Sequence, residues 1–295
     1  MIFDPDTHSQ ASSAYLLELT RSIALTSSAG AAYTLHIAWP AGAAPVAGWP
    51  VVYMLDGETF GIAREIMRYQ VGAGAEVLAT PRVLVAIGYP GASRRGIDYA
   101  PEREQALAGR QGGAPAFRRF LIDTVCPLIA AELPIDRRRQ TLMGHSLGGL
   151  FVLETMFEQR LAGVTHVSES PGFETFVASS PSVWWADHYL VQATARFVQA
   201  AQTIGMADVR AQQVAHLLLS SAEYEQVLSP AEQRLPLDQR SVLMQTRQSR
   251  RMVDGNRALA TSLASVPGLA VSFRFFEDET HRSAWPRAIA HAMRD

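Results

Sequence analysis

The sequence contains a glycine–x–serine–x–glycine pattern, which can present a nucleophilic serine. Its five consecutive residues are Gly144, His145, Ser146, Leu147 and Gly148. They follow a short apolar run and precede a run with helical periodicity, so the pattern falls where a strand turns sharply into a helix. Glycine at both ends lets strand and helix approach closely while the serine adopts a strained backbone conformation. The expected chemistry is acyl transfer through Ser146; a chance match in an ordinary turn is the alternative.

A histidine that could act as general base for Ser146 follows the last predicted strand. His281 comes after the strand at 271–276 and a short polar loop, where the base of such a serine site is expected. His291 falls inside the final predicted helix, where a surface position is expected. His145 is expected to pack against the turn, because adjacent residues there point apart. We therefore expect His281 to be the base.

Carboxylates that could orient the imidazole follow the strand predicted at 214–220. The loop after it contains Glu223 and Glu225, and either could hold the His281 ring and stabilise its cation. We prefer Glu225. Two alternatives stay open: Glu223 is the acid, or both carboxylates are solvated and a serine–histidine dyad operates.

Backbone amides must stabilise the oxyanion that forms on the reacting carbonyl. The amide of Leu147 begins the helix after the nucleophile and is the first expected donor. The second should come from the loop after the strand at 50–55, where Gly57 permits a tight turn. Either Glu58 or Gly57 would supply it, and an ordinary turn is the alternative reading of this loop.

Strand-like and helix-like runs alternate regularly along the chain, as in a parallel sheet covered by helices. The unbroken apolar runs at 50–55 and 83–87 are typical of strands buried on both faces. Further strands are predicted near 33–39, 140–143, 176–178, 214–220 and 270–276, and helices at 114–132, 147–159, from 187, at 241–264 and at the C-terminus.

Combined with the serine turn, this alternation predicts an α/β-hydrolase fold. We expect a mostly parallel central sheet of about eight strands with helices on both faces. The alternation persists to the C-terminus, which indicates a single domain over 1–295. Two segments, at about 88–113 and 221–239, are expected to pass over the active site.

Composition excludes several classes of partner. The chain is 48% hydrophobic and 18% charged with a net charge of −2, and it contains no lysine. Its scattered arginines form no basic stripe, so we expect no nucleic acid partner. No run of about 18 apolar residues is present and the N-terminus lacks a secretory signal pattern, so we expect no membrane span and a soluble, cytoplasmic protein. A mature secreted form would look the same. No metal or organic cofactor is expected.

Several stretches together resemble a family of esterases that includes the bacterial siderophore esterases acting on ferric enterobactin and salmochelin. The resemblance covers most of the chain and is more specific than the serine turn alone. The matching stretches are Tyr53–Gly57 (YMLDG), Asp98–Pro101 (DYAP), Gly112–Phe117 (GGAPAF), Arg139–Leu153 (RQTLMGHSLGGLFVL) and Ser180–Trp185 (SPSVWW), with His281 near the end.

The resemblance implies a small-molecule ester substrate, the lactone of a catecholate siderophore, which could arrive as its iron complex. It also implies Ser146 and His281 as catalytic residues with Glu225 as the acid, and the amides of Leu147 and Glu58 as oxyanion donors. One residue departs from the family pattern: alanine 222 stands where that loop usually has glycine. The resemblance also includes relatives that work with a serine–histidine dyad and no acid, so the identity of the acid stays open.

A ferric siderophore is strongly anionic, so arginines near the cleft would help to bind it. The candidates are Arg94, Arg95, Arg103 and Arg110, which could equally be solvated loop residues. Trp184 and Trp185 could line the pocket, although one of the two could instead fill core. The competing functions are another acyl-ester hydrolase or acyltransferase, such as a feruloyl esterase, and a non-catalytic binding protein on the same fold.

Overall fold

The computed structural model describes residues 17–71, 79–101, 112–165, 172–203 and 214–294, which contain one sheet of eight strands. The strands are β1 (Thr20–Thr26), β2 (Ala32–Ala38), β3 (Trp49–Leu55), β4 (Val83–Gly88), β5 (Ile135–His145), β6 (Thr175–Ser179), β7 (Ala215–Ala222) and β8 (Leu269–Phe276). Their order across the sheet is β1-β2-β4-β3-β5-β6-β7-β8. β2 pairs antiparallel with both β1 and β4, and the pairs from β4 to β8 are parallel. The predicted α/β-hydrolase fold is confirmed.

Helices cover both faces of this sheet. They are α1 (Phe60–Val71), α2 (Arg95–Asp98), α3 (Ala114–Phe120), α4 (Cys126–Glu132), α5 (Leu147–Thr165), α6 (Trp185–Thr203), α7 (Leu237–Arg250), α8 (Met252–Leu263) and α9 (Ala284–Ala292). Across the described part of the chain, none of them is long and apolar enough to cross a bilayer.

The central strands are apolar at every position because each face belongs to a different core. All seven residues of β3 are buried. Val51, Tyr53 and Leu55 pack into the larger core with side chains from α3, α5, α6 and α8. Val52 and Met54, which point to the opposite face, pack with residues of α1 and α9. The period of two in a strand therefore accounts for the unbroken hydrophobic run.

The observed elements differ from the predicted ones in a few places. The sequence pattern does not predict β1, whose alternating half-exposed side chains lie at the edge of the sheet, nor α1. The helix predicted at 241–264 is two helices, α7 and α8, because Arg251 between them has a left-handed backbone with φ of 46°. The helix predicted at 114–132 is continuous but widens into a π-helical turn at Leu121–Val125.

The described residues of the segment at 88–113 include side chains that are buried in the core. Tyr99 is fully buried, and its hydroxyl accepts a hydrogen bond from the amide of Asp56 at 3.2 Å. The neighbouring Asp98 is also buried and accepts a hydrogen bond from the hydroxyl of Tyr33 at 3.0 Å. The hydrogen bond between Tyr99 and Asp56 therefore anchors the loop after β3 to this segment. The segment at 221–239 forms two short 3-10 turns and leads into α7.

The turn from β5 into α5 depends on a close backbone contact. A Cβ atom added to Gly144 would lie 2.6 Å from the carbonyl carbon and oxygen of Gly148. Real Cβ atoms do not approach backbone atoms so closely, so only glycine at 144 fits the present turn. Strand and helix are thereby held close together on either side of Ser146.

We expect Gly144→Ala to lower the free energy of unfolding by about 1–3 kcal/mol, because the added methyl group displaces backbone atoms. The matched control is Gly61→Ala in the first turn of α1, where an added Cβ meets nothing within 4 Å. That change should be neutral or stabilise by up to about 1 kcal/mol. Urea unfolding of the two variants measures the contrast; equal stability of both would contradict the packing argument.

Candidate active site

Ser146 lies at the carboxyl end of β5 in a left-handed conformation with φ of 60°. Such a backbone is strained for a residue with a Cβ and persists where the surroundings fix it. The amide of Ser146 donates to the carbonyl of Ser179 at 2.9 Å. Its carbonyl accepts from the amides of Leu150 and Ser182, each at 3.1 Å. Hydrogen bonds to β6, α5 and the loop after β6 therefore hold the strained turn.

The candidate base and acid follow the last two strands of the same sheet edge. His281 lies in the loop after β8, and its Nδ1 is 2.7 Å from Oε1 of Glu225. Glu225 ends a 3-10 turn directly after β7, and its side chain is only 1% exposed. Its second oxygen accepts a hydrogen bond from the amide of Ala222 at 3.1 Å. The alternative acid, Glu223, instead accepts from the amide of Asp278 at 2.9 Å.

Alanine at position 222 causes no strain in this loop. Its φ of −111° and ψ of 149° are extended values that any residue adopts. The departure from the expected glycine therefore leaves the backbone of the loop with Glu225 unstrained.

Ser146, His281, Glu225 and Trp184 line one cavity of about 360 Å³. Within it, Oγ of Ser146 lies 3.2 Å from Oγ of Ser182, which is its hydrogen-bonding partner in the structure. Ser146 and the His281 imidazole thus line the same cavity without a hydrogen bond between their side chains. Such bonds are often long in an unliganded site and tighten when substrate binds. Ser182 was not singled out from the sequence, although the SPSVWW stretch contains it.

The two candidate oxyanion loops lie against each other. Leu147 is the first residue of α5, so its amide has no acceptor within the helix. The loop after β3 begins at Asp56 and continues as a 3-10 turn over Gly57–Thr59. A Cβ on Gly148 would meet the Asp56 carboxylate at 3.3 Å, which shows how near this loop is to the serine turn. Glu58 is exposed, whereas the backbone of Gly57 is buried.

Arg95 joins the two loops. Its Nε and Nη2 donate to the two carboxylate oxygens of Asp56 at 2.9 and 3.2 Å, and Nη2 also donates to the carbonyl of His145 at 3.2 Å. Burial raises the pKa of Asp56 above its ordinary value, and Arg95 offsets part of that rise. Arg94 pairs with Asp98 at 3.4 Å. Neither arginine lines the cavity at Ser146, so a substrate contact by either one stays a prediction.

The two tryptophans of SPSVWW have different surroundings. Trp184 lines the cavity. Trp185 begins α6 and packs edge-on against Tyr189, with 5.9 Å between ring centroids, next to the larger core. Both side chains are half-buried and pack against the larger core, so neither is a fully buried core residue. Arg103 and Arg110, the other two candidate binding residues, lie outside the described residues.

His145 packs against His281, the candidate base. One of its ring nitrogens, Nε2, lies 2.8 Å from the carbonyl oxygen of His281, so it donates to that carbonyl. Its ring stacks on Trp285 with 5.5 Å between centroids. Burial lowers the pKa of His145 to about 3, helped by the neighbouring His281 ring. A neutral His145 thus connects the turn at Ser146 to the loop that carries His281.

Three arginines lining the cavity were not singled out from the sequence. Arg247 and Arg250 lie on the last turn of α7, and Arg282 directly follows His281. No local pattern distinguishes the first two, because their position depends on the break between α7 and α8. For Arg282 the adjacent base is a sequence signal.

Comparison with known proteins finds esterases by family model and by sequence, and a siderophore hydrolase by structure. Residues 26–251 match the model of the family described as "Putative esterase". The chain is 31% identical to the ferri-bacillibactin esterase BesA of Bacillus subtilis, over 89% of this chain and 83% of that protein. It is 31% identical to the apo-salmochelin esterase of Escherichia coli over 51% of this chain and 47% of that protein. The siderophore hydrolase EstB of Aspergillus nidulans has the same fold, with a TM-score of 0.81, 22% identity and 97% of each chain covered.

We expect His145→Gln to reduce the loss in free energy of unfolding that accompanies acidification. The unfolded histidine takes up a proton near its ordinary pKa of 6.5, whereas the folded one resists protonation down to about 3. Between these values the unfolded state binds more protons, so this residue lowers stability by up to about 1.4 kcal/mol for each pH unit of acidification.

Glutamine keeps a donor for the His281 carbonyl and cannot titrate. Urea unfolding at several pH values between 4 and 7 should therefore show a smaller slope for the variant than for the unmodified protein. Equal slopes would mean that His145 takes up its proton over the same pH range in the folded and unfolded states, and would contradict the lowered pKa.

Proposed function

Since the chain belongs to the "Putative esterase" family, we propose that it hydrolyses the ester bonds of a siderophore, with Ser146, His281 and Glu225 as its catalytic triad. The protein is a serine hydrolase of carboxylic esters. The observation that carries the assignment of roles is the 2.7 Å contact between His281 Nδ1 and the buried Glu225 carboxylate, at a cavity that Ser146 also lines.

The first half of the reaction acylates the serine. Ser146 Oγ attacks the ester carbonyl carbon while Nε2 of His281 accepts its proton. For this the Ser146 hydroxyl exchanges Ser182 for the imidazole as its partner, and side-chain rotations of this kind are fast compared with turnover. Glu225 keeps the proton on Nδ1, so that Nε2 is free to accept, and stabilises the imidazolium that forms.

The oxyanion of the tetrahedral intermediate accepts hydrogen bonds from the amide of Leu147 and from that of Glu58 or Gly57. The intermediate collapses when the carbon–oxygen ester bond breaks and the imidazolium donates its proton to the departing alkoxide. Water then attacks the acyl-enzyme with His281 as base, which releases the carboxylic acid and restores Ser146. The reaction as written needs no metal or organic cofactor.

Support for a siderophore ester comes from the relatives. Ferri-bacillibactin and apo-salmochelin are the substrates that two of them are named for. The cavity adds an aromatic wall, Trp184, that suits the catechol rings of such lactones. Another aryl ester, as in a feruloyl esterase, would use the same wall, and an acyltransferase would replace the water with an alcohol. A panel of siderophore and aryl esters separates these alternatives.

Purified protein should convert a catecholate trilactone to linear products that differ by one water, detected by mass spectrometry, and should react with a fluorophosphonate probe. Ser146→Ala should abolish both, whereas Ser262→Ala, at an exposed position on α8, should retain both. Probe labelling that survives Ser146→Ala would refute the nucleophile. Labelling without siderophore cleavage would refute the substrate class and leave the esterase.

We expect Glu225→Gln to lower kcat by at least about 100-fold on any ester. Glu225 accepts hydrogen bonds through both oxygens, from Ala222 and from His281. Glutamine has one acceptor oxygen, so its amide group must face either the Ala222 amide or Nδ1, and the second arrangement favours the wrong imidazole tautomer. Glu223→Gln is the matched control and should stay within about threefold of the unmodified rate. Similar rates for both variants would indicate a serine–histidine dyad.

A further inference from the structure

The cavity at Ser146 has one wall that does not belong to the sheet core. That wall is α7, which has no buried residue and is polar along most of its length. Leu243, Thr246, Arg247 and Arg250 recur at helical spacing and face the cavity. The rest of the lining comes from Trp184, from Met252 at the start of α8 and from the segments that carry Ser146, Glu225 and His281.

Arg247 joins α7 to the neighbouring loop. Arg247 donates to the Glu232 carboxylate at 2.6 Å and to the carbonyl of Val227 at 2.8 Å. Both contacts join the last turn of α7 to the loop after β7. The charge of Arg247 is therefore compensated, and its function here is to fix the helix.

The two carboxylates of the lining are already paired. Glu232 is bound to Arg247, and Glu225 is buried against His281. Arg250 and Arg282 are both exposed at the rim, and within the described ranges neither has a carboxylate partner. The guanidinium carbon of Arg250 lies 4.4 Å from the ring centroid of Trp184, so the aromatic wall holds this charge in place. The rim is therefore cationic although the whole chain carries a net charge of −2.

We infer that Arg250 and Arg282 form an anion-recognition site at the mouth of the cavity, which makes the enzyme select strongly anionic esters. This rests on the proposed function: within the catecholate siderophores, the site favours the ferric complex over the iron-free lactone. In the complex the ionised catechol oxygens outnumber the charge of ferric iron. In the iron-free lactone the catechols are protonated near neutral pH.

Local charge decides this selection, because charges beyond about 8–10 Å are screened at physiological ionic strength. An anionic complex at the mouth of the cavity would lie beside the two rim arginines, whereas the carboxylates of the lining are already paired. Arg250 presents a planar guanidinium already stacked on Trp184, so less side-chain freedom is lost on binding.

The test compares kcat/KM for ferric and iron-free forms of one catecholate trilactone. The unmodified enzyme should prefer the ferric form by at least about tenfold, and Arg250→Met or Arg282→Met should each lower that preference by about three- to tenfold. Methionine keeps an apolar stem over Trp184. Raising ionic strength should lower the ferric rate of the unmodified enzyme more than that of the double variant.

Two further variants separate charge from packing. Arg250→Lys keeps the charge and should retain more of the preference than Arg250→Met. The matched control, Arg257→Met, removes an exposed charge on α8 that lies over the rings of Phe273 and Phe275, 5.7 and 5.8 Å away, and does not line the cavity. Its ferric preference should equal that of the unmodified enzyme.

An unchanged preference in the Arg250→Met/Arg282→Met double variant, or an equal loss on both substrates, would overturn the inference. If the enzyme cleaves neither siderophore, the proposed substrate class is wrong. Anion binding by Arg250 and Arg282 is then tested with two small esters. 4-Nitrophenyl hydrogen succinate carries an anionic acyl group and 4-nitrophenyl butyrate a neutral one. The ratio of their kcat/KM values should fall in the double variant if the rim binds anions, and an unchanged ratio would refute it.

Discussion

The backbone contact between Gly144 and Gly148 is the constraint on which the site depends. It allows β5 and α5 to meet at a turn so tight that Ser146 takes a left-handed conformation. In that conformation the side chain leaves the sheet edge toward the cavity, and the start of α5 lies directly behind it. Its strain is balanced by hydrogen bonds from neighbouring elements, chiefly with Ser179 and Ser182.

Further contacts connect this turn to the loops that carry the other candidate site residues. His145 binds the carbonyl of His281 and so connects the turn to the loop after β8. Arg95 binds both the carbonyl of His145 and the carboxylate of Asp56, which connects the turn to the loop after β3. Because the Asp56 carboxylate is buried and the other partners are half-buried, small displacements of one loop are opposed by the others. The contacts that hold the candidate site in position are thus distributed over several segments of the chain.

Charged groups are paired beside the turn at Ser146 and exposed at the mouth of the cavity. Beside the turn, Arg95 is paired with Asp56 and His145 is neutral, so these groups leave no uncompensated charge there. At the rim, Arg250 and Arg282 are exposed beside the cavity. The first arrangement avoids the cost of an unpaired buried ion, and the second leaves cations available to a ligand.

The sequence alone determined the fold class, the nucleophile turn and the order of the catalytic candidates. Strand periodicity and the spacing around Ser146 are local properties, and the chain position of His281 follows from the strand order of such a fold. Glu225 and Glu223 could not be separated in this way. Only the tertiary structure brings Glu225 to His281, because the 3-10 turn after β7 directs one carboxylate inward and the other toward Asp278. The break at Arg251, the pairing of Arg95 with Asp56 and the cationic rim depend equally on contacts between segments distant in sequence, which no local pattern records.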